Sequence, residues 1–427
     1  MRVLLLGSGG RESALAWALD RSPHVAELVA SPGNPGIAKL ATVVPTDITD
    51  PVKVTALARE LRPNLVVVGP EAPLVAGVAD ALRAEGVDVF GPDAPAARIE
   101  GSKAFAKELM ERAGIPTAHG RAFDSVPSAV AYMDRLGPPF VIKADGLAAG
   151  KGVVVTDDRS EAITAIEKRI AGATFGAEGR LVVVEEYLDG PEVSLIAFCD
   201  GTTVVPCEPA QDYKRVGDDD VGPNTGGMGS YSPVPACTPE TVAQVTEELI
   251  KPAVRAMKAA GTPFVGALYA GLALTSKGPK VIEFNARFGD PETQALIPRL
   301  RSDFAEVCAA CSKGELEGME LQWSGHVCVA VVVASGGYPE DHVTGLPIHG
   351  IERAERLPAV QVFHAGTALE DGLLVTAGGR VVAVSALANT FRNARTKAYE
   401  AAGHITFEGR HMRTDIGARA ELVEAST

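Results

Sequence analysis

The sequence lacks the features of membrane, secreted and nucleic-acid-binding proteins. No run of about 18 apolar residues could cross a bilayer, and the apolar stretch in the opening segment MRVLLLGSGGRES is too short for a signal peptide. A net charge of −14 argues against nucleic acid as the main partner. We therefore expect a cytoplasmic protein that binds neither membranes nor nucleic acids.

Cysteine is also scarce, with six residues in a chain of 427. Such a number does not make a disulfide framework. Cys308 and Cys311 form a CxxC with no second Cys or His pair nearby at zinc spacing. The segment FAEVCAACSKG instead predicts a helix end with a buried pair, and we expect a reducing compartment.

The apolar runs predict three domains in a multidomain α/β and α+β fold. In residues 1–100, the strands RVLLLG, AELVAS, LVVVG and DVFGP alternate with the helices RESALAWALDRS, PVKVTALARELR and PLVAGVADALRAEG. This alternation predicts a parallel, doubly wound, Rossmann-like sheet. Residues 326–427 contain several strands and glycine turns and predict a separate α+β domain.

The middle region, 101–325, begins with the helix SKAFAKELMERAG and includes a small module at about 122–190. Tight turns join the predicted strands PPFVIKA, GVVVTD, RLVVVEEYL and EVSLIAF of this module, with one inserted helix, SEAITAIEKRIAG. A polar loop at 211–233, a long helix at 239–260 and the strands GALYAGLALTS and KVIEFNAR complete the region.

The first glycine-rich stretch, LLLGSGGRES, follows a strand and opens a helix, where amides and the helix dipole favour anions. The dinucleotide fingerprint is incomplete, because Glu12 replaces its third glycine and the second strand ends at Ser31 without an acidic ribose ligand. We interpret the stretch as a phosphate site with amides of Gly9 and Gly10 and the charge of Arg11. The alternative is a structural glycine turn.

The second glycine-rich stretch, KADGLAAGKGV, lies between two predicted strands. A P-loop reads G-x-x-x-x-G-K-[ST], whereas Gly146 and Gly150 are separated by three residues and Gly152 stands in place of the hydroxyl. A glycine-rich hairpin can instead close over a triphosphate as a lid. Lys143 on the leading strand and Lys151 in the hairpin are then candidates for phosphate binding. The alternative is an exposed hairpin without function.

The segment VVVEEYLDGPEVSL has the features of an adenosine site. Backbone groups at the end of its first strand can meet an adenine edge, Glu185 can accept from the exocyclic amine, and Glu192 can take ribose hydroxyls. A charged hairpin turn is the alternative.

The segment KVIEFNARFGDPETQ carries polar residues at alternate positions of a strand. Glu283 and Asn285 share one face and are oxygen ligands of the kind that Mg²⁺ takes together with nucleotide phosphates. Arg287 extends this face and could neutralise a transferring phosphoryl group, and Asp290 and Glu292 follow in the turn. The alternative is a solvated face.

The loop QDYKRVGDDDVGPNTGGMGSYSP is long and polar, as binding loops often are. Asp212, Lys214 and Arg215 begin it, and we expect Asp218–Asp220 to be solvated surface. Its later part contains three glycines: Gly226, Gly227 and Gly229.

In this order, Lys143, the glycine hairpin, EEYLDGPE and EFNARFGDPE resemble the ATP-grasp superfamily, whose members activate a carboxylate as an acyl phosphate that an amine attacks. Within it, the chain resembles the phosphoribosylamine–glycine ligase family of purine biosynthesis. The resemblance spans essentially the whole chain and rests on GSGGRE, GPEAPLVAG, EGSKAFAKELM, KADGLAAGKGV, PNTGGMGSYSP, RFGDPETQ and RTDIGARA.

The resemblance implies a monomer with an ATP-grasp core, in which ATP lies between the flap module and the central domain. It implies Mg²⁺ or Mn²⁺ on Glu283 and Asn285. The implied ATP contacts are Lys103, Lys143, Gly150, Lys151, Gly152, Glu185, Glu186, Tyr187, Leu188 and Glu192. Phosphoribosylamine would place its phosphate near Gly9, Gly10 and Arg11. Glycine and the attacking amine would lie near Asp212, Lys214, Gly226, Gly227, Met228, Arg287 and Asp290.

Three features depart from the family pattern. Ser13 and Tyr213 stand where the family usually has histidine, and FVGALYAGLALTS has no carboxylate for a second metal. Three rival functions remain: an ATP-grasp enzyme that carboxylates or formylates another ribonucleotide, a nicotinamide-dependent dehydrogenase, and a non-catalytic binding protein.

Overall fold

The N-terminal sheet is parallel, as the alternating pattern predicts. A computed structural model describes residues 1–147, 152–171 and 181–426. The strand order is β3-β2-β1-β4-β5. The strands are β1 Arg2–Gly7, β2 Glu27–Pro32, β3 Thr42–Val43, β4 Leu65–Val68 and β5 Asp88–Phe90. The helices are α1 Gly10–Asp20, α2 Pro51–Leu61, α3 Glu71–Val75, α4 Val78–Ala84 and α5 Ala94–Gly101, followed by α6 Lys103–Ala113.

Strand β1 shows why this sheet is buried on both faces. Leu4 and Leu6 join one apolar core, and Val3 and Leu5 join the other. Alternate residues of a strand point to opposite faces, so an unbroken apolar run fits a sheet covered by helices on both sides.

Two helices differ from the sequence expectation. The segment PLVAGVADALRAEG forms α3 and α4 instead of one helix, because Gly77 has a φ of 84° between them. The long helix at 239–260 is divided into α9 Pro239–Val245 and α10 Lys251–Ala259 by a π-turn at Thr246–Ile250. Pro252 has no N–H to continue the regular ladder there.

The flap module is an antiparallel sheet with the order β6-β9-β7-β8. Its strands are β6 Gly120–Phe123, β7 Phe140–Ala144, β8 Val153–Thr156 and β9 Val182–Glu185, and its helices are α7 Val126–Leu136 and α8 Arg159–Ala171. We predicted one helix here, and the residues of the module that the structure describes form two. The segment EVSLIAF, which we assigned to the module, pairs in the central sheet instead.

The central domain contributes one sheet and two strands of another. Its strands are β10 Glu192–Asp200, β11 Val204–Pro206, β12 Gln211–Asp212, β13 Gly229–Ser232, β14 Val265–Thr275 and β15 Gly278–Asn285. The order β11-β10-β14-β15 forms the antiparallel central sheet. The helices α11 Glu292–Leu296 and α12 Phe304–Lys313 follow. Cys308 and Cys311 are free, buried thiols of α12, as we expected.

The C-terminal sheet has the order β12-β13-β16-β20-β17, so the polar loop at 211–233 is part of it through β12 and β13. Its remaining strands are β16 Val327–Ala334, β17 Val360–His364 and β20 Arg380–Ala388, and a separate hairpin is formed by β18 Thr367–Glu370 and β19 Leu373–Thr376. The helices are α13 Ile351–Glu355, α14 Phe391–His404 and α15 Ala418–Glu424. No helix in the described ranges has the length and apolarity to span a bilayer.

Candidate active site

The first glycine loop is filled by the side chain of Glu12. This carboxylate accepts the Gly9 N–H at 2.7 Å and contacts Arg11 Nε at 2.5 Å. It lies against Gly7 and Gly69, where an added Cβ would come within 2.3 and 2.2 Å of it. The Gly9 amide, which we assigned to a phosphate, therefore already has a partner, and Glu12 occupies the space between the ends of β1 and β4.

Arg11 and Arg287 converge on Glu71. Arg287 Nε donates to Glu71 Oε2 at 3.3 Å, and an Arg11 nitrogen lies 3.9 Å from the same oxygen. Burial opposes ionisation of Glu71, but the two guanidinium groups outweigh it and hold its pKa below the usual value. The first residue of α3 thus brings a carboxylate to both arginines that we assigned to phosphate or phosphoryl groups.

Glu100, at the end of α5, holds the segment after β15. Its carboxylate pairs with Arg287 at 2.8 Å and accepts the Ala286 N–H at 2.7 Å. Burial raises the pKa of Glu100, although the charge of Arg287 opposes the increase. Glu71 and Glu100 therefore orient Arg287 from the N-terminal domain. Glu71 lies in the GPEAPLVAG motif and Glu100 begins the EGSKAFAKELM motif, but nothing in the sequence assigned either carboxylate a role in holding Arg287.

The face of β15 alternates as the sequence predicts. Phe284 and Ala286 are buried in a core, whereas Glu283, Asn285 and Arg287 are only partly buried. Glu283 is opposite Gly271 of β14. Two oxygen donors on one face are compatible with Mg²⁺, a cation that keeps water and phosphate ligands.

Protein ligands for a metal are few here. In the parts of the chain that the structure describes, no group of three or more His, Cys, Asp or Glu side chains is arranged to hold a metal. A cation at Glu283 and Asn285 would therefore need most of its ligands from a bound phosphate and water.

The lysines expected at the phosphates lie beside this strand. Lys143 Nζ contacts Glu185 Oε2 at 2.7 Å and donates to Ile282 O at 3.0 Å. Burial alone would lower the pKa of Lys143, but Glu185 and then Glu283 hold it above the usual value. Lys103, the first residue of α6, donates to Gly146 O at 3.3 Å.

The flap residues have varied surroundings. The Gly152 carbonyl accepts the Ala144 N–H at 2.8 Å, whereas Gly150 and Lys151 lie outside the described residues. After β9, the Glu186 N–H donates to His119 O at 2.8 Å. Tyr187 is 51% exposed, and Leu188 is partly buried.

Lys214 bridges two carboxylates from different strands. Its ammonium lies 2.7 Å from Asp212 Oδ1 and 3.0 Å from Glu192 Oε2. Burial raises the pKa of Asp212 to about 6, although Lys214 opposes the increase. The proposed ribose ligand and the polar loop are therefore in direct electrostatic contact.

Two side chains of the C-terminal domain form hydrogen bonds with the polar loop at Gly226. Tyr338 Oη accepts the Gly226 N–H at 2.8 Å, and Arg380 donates to Gly226 O at 2.8 Å. Arg380 also donates to Asp290 O at 3.0 Å and pairs with Asp290 Oδ2 at 3.1 Å. An added Cβ on Gly227 would lie 2.4 Å from Pro291. The loop and the RFGDPE segment are thus in contact, and one guanidinium joins them.

Asp290 also connects this contact to the first glycine loop. Its Oδ1 accepts from Gln294 Nε2 at 2.7 Å, and its Oδ2 lies 3.7 Å from where a Cβ on Gly9 would be. Burial opposes its ionisation, but Arg380 and Arg11 hold the pKa of Asp290 below the usual value. Met228, which we expected among the substrate contacts, has a fully buried side chain.

The two positions that depart from the family pattern are well accommodated. Ser13 Oγ donates to His364 O at 2.5 Å and accepts from Asn34 at 3.0 Å. Tyr213 Oη accepts the Gly417 N–H at 2.9 Å, and Arg413 lies 4.7 Å from the centre of its ring.

Our expectation that Asp218–Asp220 are solvated surface is confirmed only in part, because Asp219 and Asp220 are exposed and Asp218 is partly buried, but each has a partner in the C-terminal domain. Asp218 accepts the Thr414 N–H at 2.7 Å, and Asp220 pairs with Arg413 at 2.8 Å. Asp219 donates its N–H to Asp415 at 3.1 Å. These contacts hold the loop against the RTDIGARA segment, which contributes the buried side chain of Arg413 and the Thr414 N–H.

Besides Glu71 and Glu100, sequence reasoning missed three further side chains of the site. They are Lys107, Tyr338 and Arg380. Lys107 follows Lys103 by one helical turn, and this spacing is a signal that could have been used. Nothing in the sequence indicated the other two, which reach the site from a different domain.

Comparison with known proteins gives a match in each domain. Residues 1–100 match the N domain of phosphoribosylglycinamide synthetase, residues 101–293 its ATP-grasp (A) domain and residues 328–419 its C domain. The chain is 52% identical to a phosphoribosylamine–glycine ligase from Brucella melitensis biotype 1, with 98% of each chain covered.

Solved structures are similar as well. A crystal structure of phosphoribosylamine–glycine ligase from Thermotoga maritima has a TM-score of 0.85 at 34% identity, covering 97% of this chain and 100% of that one. A biotin carboxylase from Campylobacter jejuni has a TM-score of 0.72 at 15% identity, covering 96% and 92%, and shares the fold alone.

Proposed function

The chain belongs to the phosphoribosylglycinamide synthetase family, and from this premise we propose that it joins glycine to 5-phosphoribosylamine at the expense of ATP. The products are glycinamide ribonucleotide, ADP and phosphate, in a step of purine biosynthesis. One observation carries the proposal. Lys143 bonds the carbonyl of Ile282 at 3.0 Å, and the next residue along β15 is Glu283. The lysine proposed for phosphate binding and the carboxylate proposed for metal binding are therefore neighbours.

ATP is proposed to lie between the flap module and the central sheet. Lys103 and Lys143 would bind phosphates, and Glu185, with the backbone at 186–188, would meet the adenine edge. The 2.7 Å contact between Lys143 and Glu185 supports a shared pocket for both ends of the nucleotide. Glu192 is the ribose candidate, and Gly150, Lys151 and Gly152 are candidates for covering the phosphates.

Glu283 and Asn285 would hold Mg²⁺ or Mn²⁺ with the ATP phosphates. The bound cation would neutralise phosphate charge, which is the chemistry that such ions supply in phosphoryl transfer. Two partly buried oxygen donors on one strand face support this assignment.

The proposed chemistry has two steps. A glycine carboxylate oxygen attacks the γ-phosphorus of ATP, so that ADP leaves and glycyl phosphate forms. The amine of phosphoribosylamine then attacks the acyl carbon, an amide bond forms, and the C–O bond to phosphate breaks. Positioning and charge neutralisation dominate such reactions, and few proton transfers are needed.

Arg287 and the Asp290 region are proposed for the acyl end of the site. Arg287 is held by Glu71 and Glu100, so its guanidinium is preorganised for phosphoryl charge. Asp212, Lys214 and the turn at 226–228 would surround glycine and the attacking amine. Gly9, Gly10 and Arg11 are proposed for the phosphate of phosphoribosylamine, and Glu12 would then yield the Gly9 amide.

The test is ADP release with glycine and freshly generated phosphoribosylamine, each omitted in turn. We expect ADP only when both are present, and none from Glu283→Ala. ADP formed with another acid or ribonucleotide would assign the chain to a carboxylating or formylating relative. No ADP with any pair, despite ATP binding, would reject the enzymatic proposal.

A further inference from the structure

Lys107 of α6 is a buried lysine for which the proposed reaction has no role. Its ammonium lies 2.9 Å from Glu185 Oε1. It also donates to Ala118 O at 2.7 Å and to Thr117 Oγ1 at 3.1 Å. The residue is only 9% exposed. Three acceptors use the three N–H groups of the ammonium, so its position is fully determined.

Glu185 is shared by two lysines. Lys107 contacts one carboxylate oxygen at 2.9 Å, and Lys143 contacts the other at 2.7 Å. Glu185 is 4% exposed and Lys143 is 5% exposed. One buried carboxylate thus faces two buried ammonium groups, and the cluster has one more positive charge than the carboxylate needs.

The two lysines differ in what else they contact. Lys143 comes from the flap sheet and reaches Ile282 O on β15, the strand of the proposed metal ligands. Lys107 comes from a helix outside the flap and is bonded to the segment that leads into β6. Burial lowers the pKa of Lys107, and Glu185 opposes the decrease. Lys107 therefore lies in an environment that disfavours its charge.

We propose that Lys107 is a positioning residue that keeps Glu185 paired when a nucleoside triphosphate takes Lys143. The inference rests on the proposed ATP site. Lys143 cannot give its full charge both to a phosphate and to Glu185. Without Lys107, transfer of Lys143 to the phosphate leaves a buried carboxylate unpaired, which is strongly unfavourable. With Lys107, Glu185 keeps one partner and its orientation toward the adenine amine.

A double-mutant cycle tests this coupling, with the dissociation constant of MgATP measured by calorimetry in the absence of glycine. The four proteins are the unaltered chain, Lys107→Met, Glu185→Gln and the double variant. We expect Lys107→Met to weaken ATP binding by roughly 30-fold or more when Glu185 is present. In the Glu185→Gln background, where no charge is left unpaired, the same change should cost about threefold or less.

Lys53→Met is the matched control. Lys53 also pairs with carboxylates, Asp47 at 3.5 Å and Asp50 at 3.2 Å, but its side chain is 57% exposed and lies in the N-terminal domain. We expect no change in ATP affinity. If Lys107→Met does not unfold cooperatively, Lys107→Gln replaces it, since the amide can still donate to the Ala118 carbonyl.

Equal losses in both backgrounds, or no loss in either, would overturn the role of Lys107 while leaving the proposed ATP site intact. Absence of ATP binding by the unaltered chain would reject the ATP site itself and the inference with it.

Discussion

Arg380 offers the sharpest test of how the C-terminal domain acts on the site. Arg380→Met removes two hydrogen bonds, to Gly226 O at 2.8 Å and to Asp290 O at 3.0 Å, and an ion pair with Asp290 at 3.1 Å. Breaking a buried ion pair lowers the free energy of unfolding by about 3–5 kcal/mol. We expect the lower end, about 3 kcal/mol, because Asp290 keeps its bond to Gln294 and the nearby charge of Arg11.

The effect on catalysis should be confined to the use of glycine and should not extend to ATP binding. The turn at Gly226 loses a charge-assisted bond worth about 1.5–3 kcal/mol, so kcat/KM for glycine should fall by about 10- to 100-fold. KM for ATP should stay within about threefold, because Arg380 has no contact with the described residues of the proposed ATP pocket. Steady-state ADP release with each substrate varied provides both values.

Arg392→Met is the control, because Arg392 is 72% exposed and pairs with Glu421 in the same domain. Its removal should change stability by less than about 0.5 kcal/mol and leave all kinetic constants unchanged. The reasoning is refuted if Arg380→Met is folded and its kcat/KM for glycine is within about threefold of the unaltered value. An equal loss in ATP affinity would also refute it, since the damage would then be general.

Three further predictions concern pH and packing. Because burial raises the pKa of Asp212 to about 6, lowering the pH through 6 should remove its charge. We therefore expect kcat/KM for glycine to fall as the pH is lowered through 6. The same fall in the pH profile of Asp212→Asn would contradict this. Burial lowers the pKa of His364 to about 4 from 6.5, so its contribution to stability is present above pH 6.5 and lost as the pH falls toward 4. Denaturant titration should show that the free energy of unfolding falls by up to about 3 kcal/mol over this pH range, and the fall should be smaller in His364→Leu. Phe90→Ala removes a ring that lies 5.8 to 6.5 Å from three other phenylalanine rings, and its free energy of unfolding should drop by about 3–5 kcal/mol.

Local pattern was sufficient for much of the fold. The run RVLLLG is apolar at every position between its arginine and its glycine, as in a strand buried on both faces, and its alternation with helical segments predicted the parallel sheet. The alternation of Glu283, Asn285 and Arg287 with buried residues was equally readable. In both cases the signal comes from residues that are only a few positions apart in the sequence.

Contacts between distant segments were not predictable in this way. Arg380 lies 154 residues from its partner Gly226 along the chain, and no periodicity relates the two. The pairing of β13 with β16 made the polar loop part of the C-terminal sheet, which a domain boundary near residue 325 concealed. Asp218–Asp220 illustrate the same point, because nothing near them in the sequence indicates that Arg413 pairs with Asp220.

The route of the carboxylate oxygen tests the central claim most directly. If glycine is activated as an acyl phosphate, glycine labelled with ¹⁸O in both carboxylate oxygens should transfer one ¹⁸O to inorganic phosphate in each turnover. The label in phosphate and in the ribonucleotide product is measured by mass spectrometry. One labelled oxygen per phosphate is the predicted result. Unlabelled phosphate, released at the same rate as the product forms, would contradict the account.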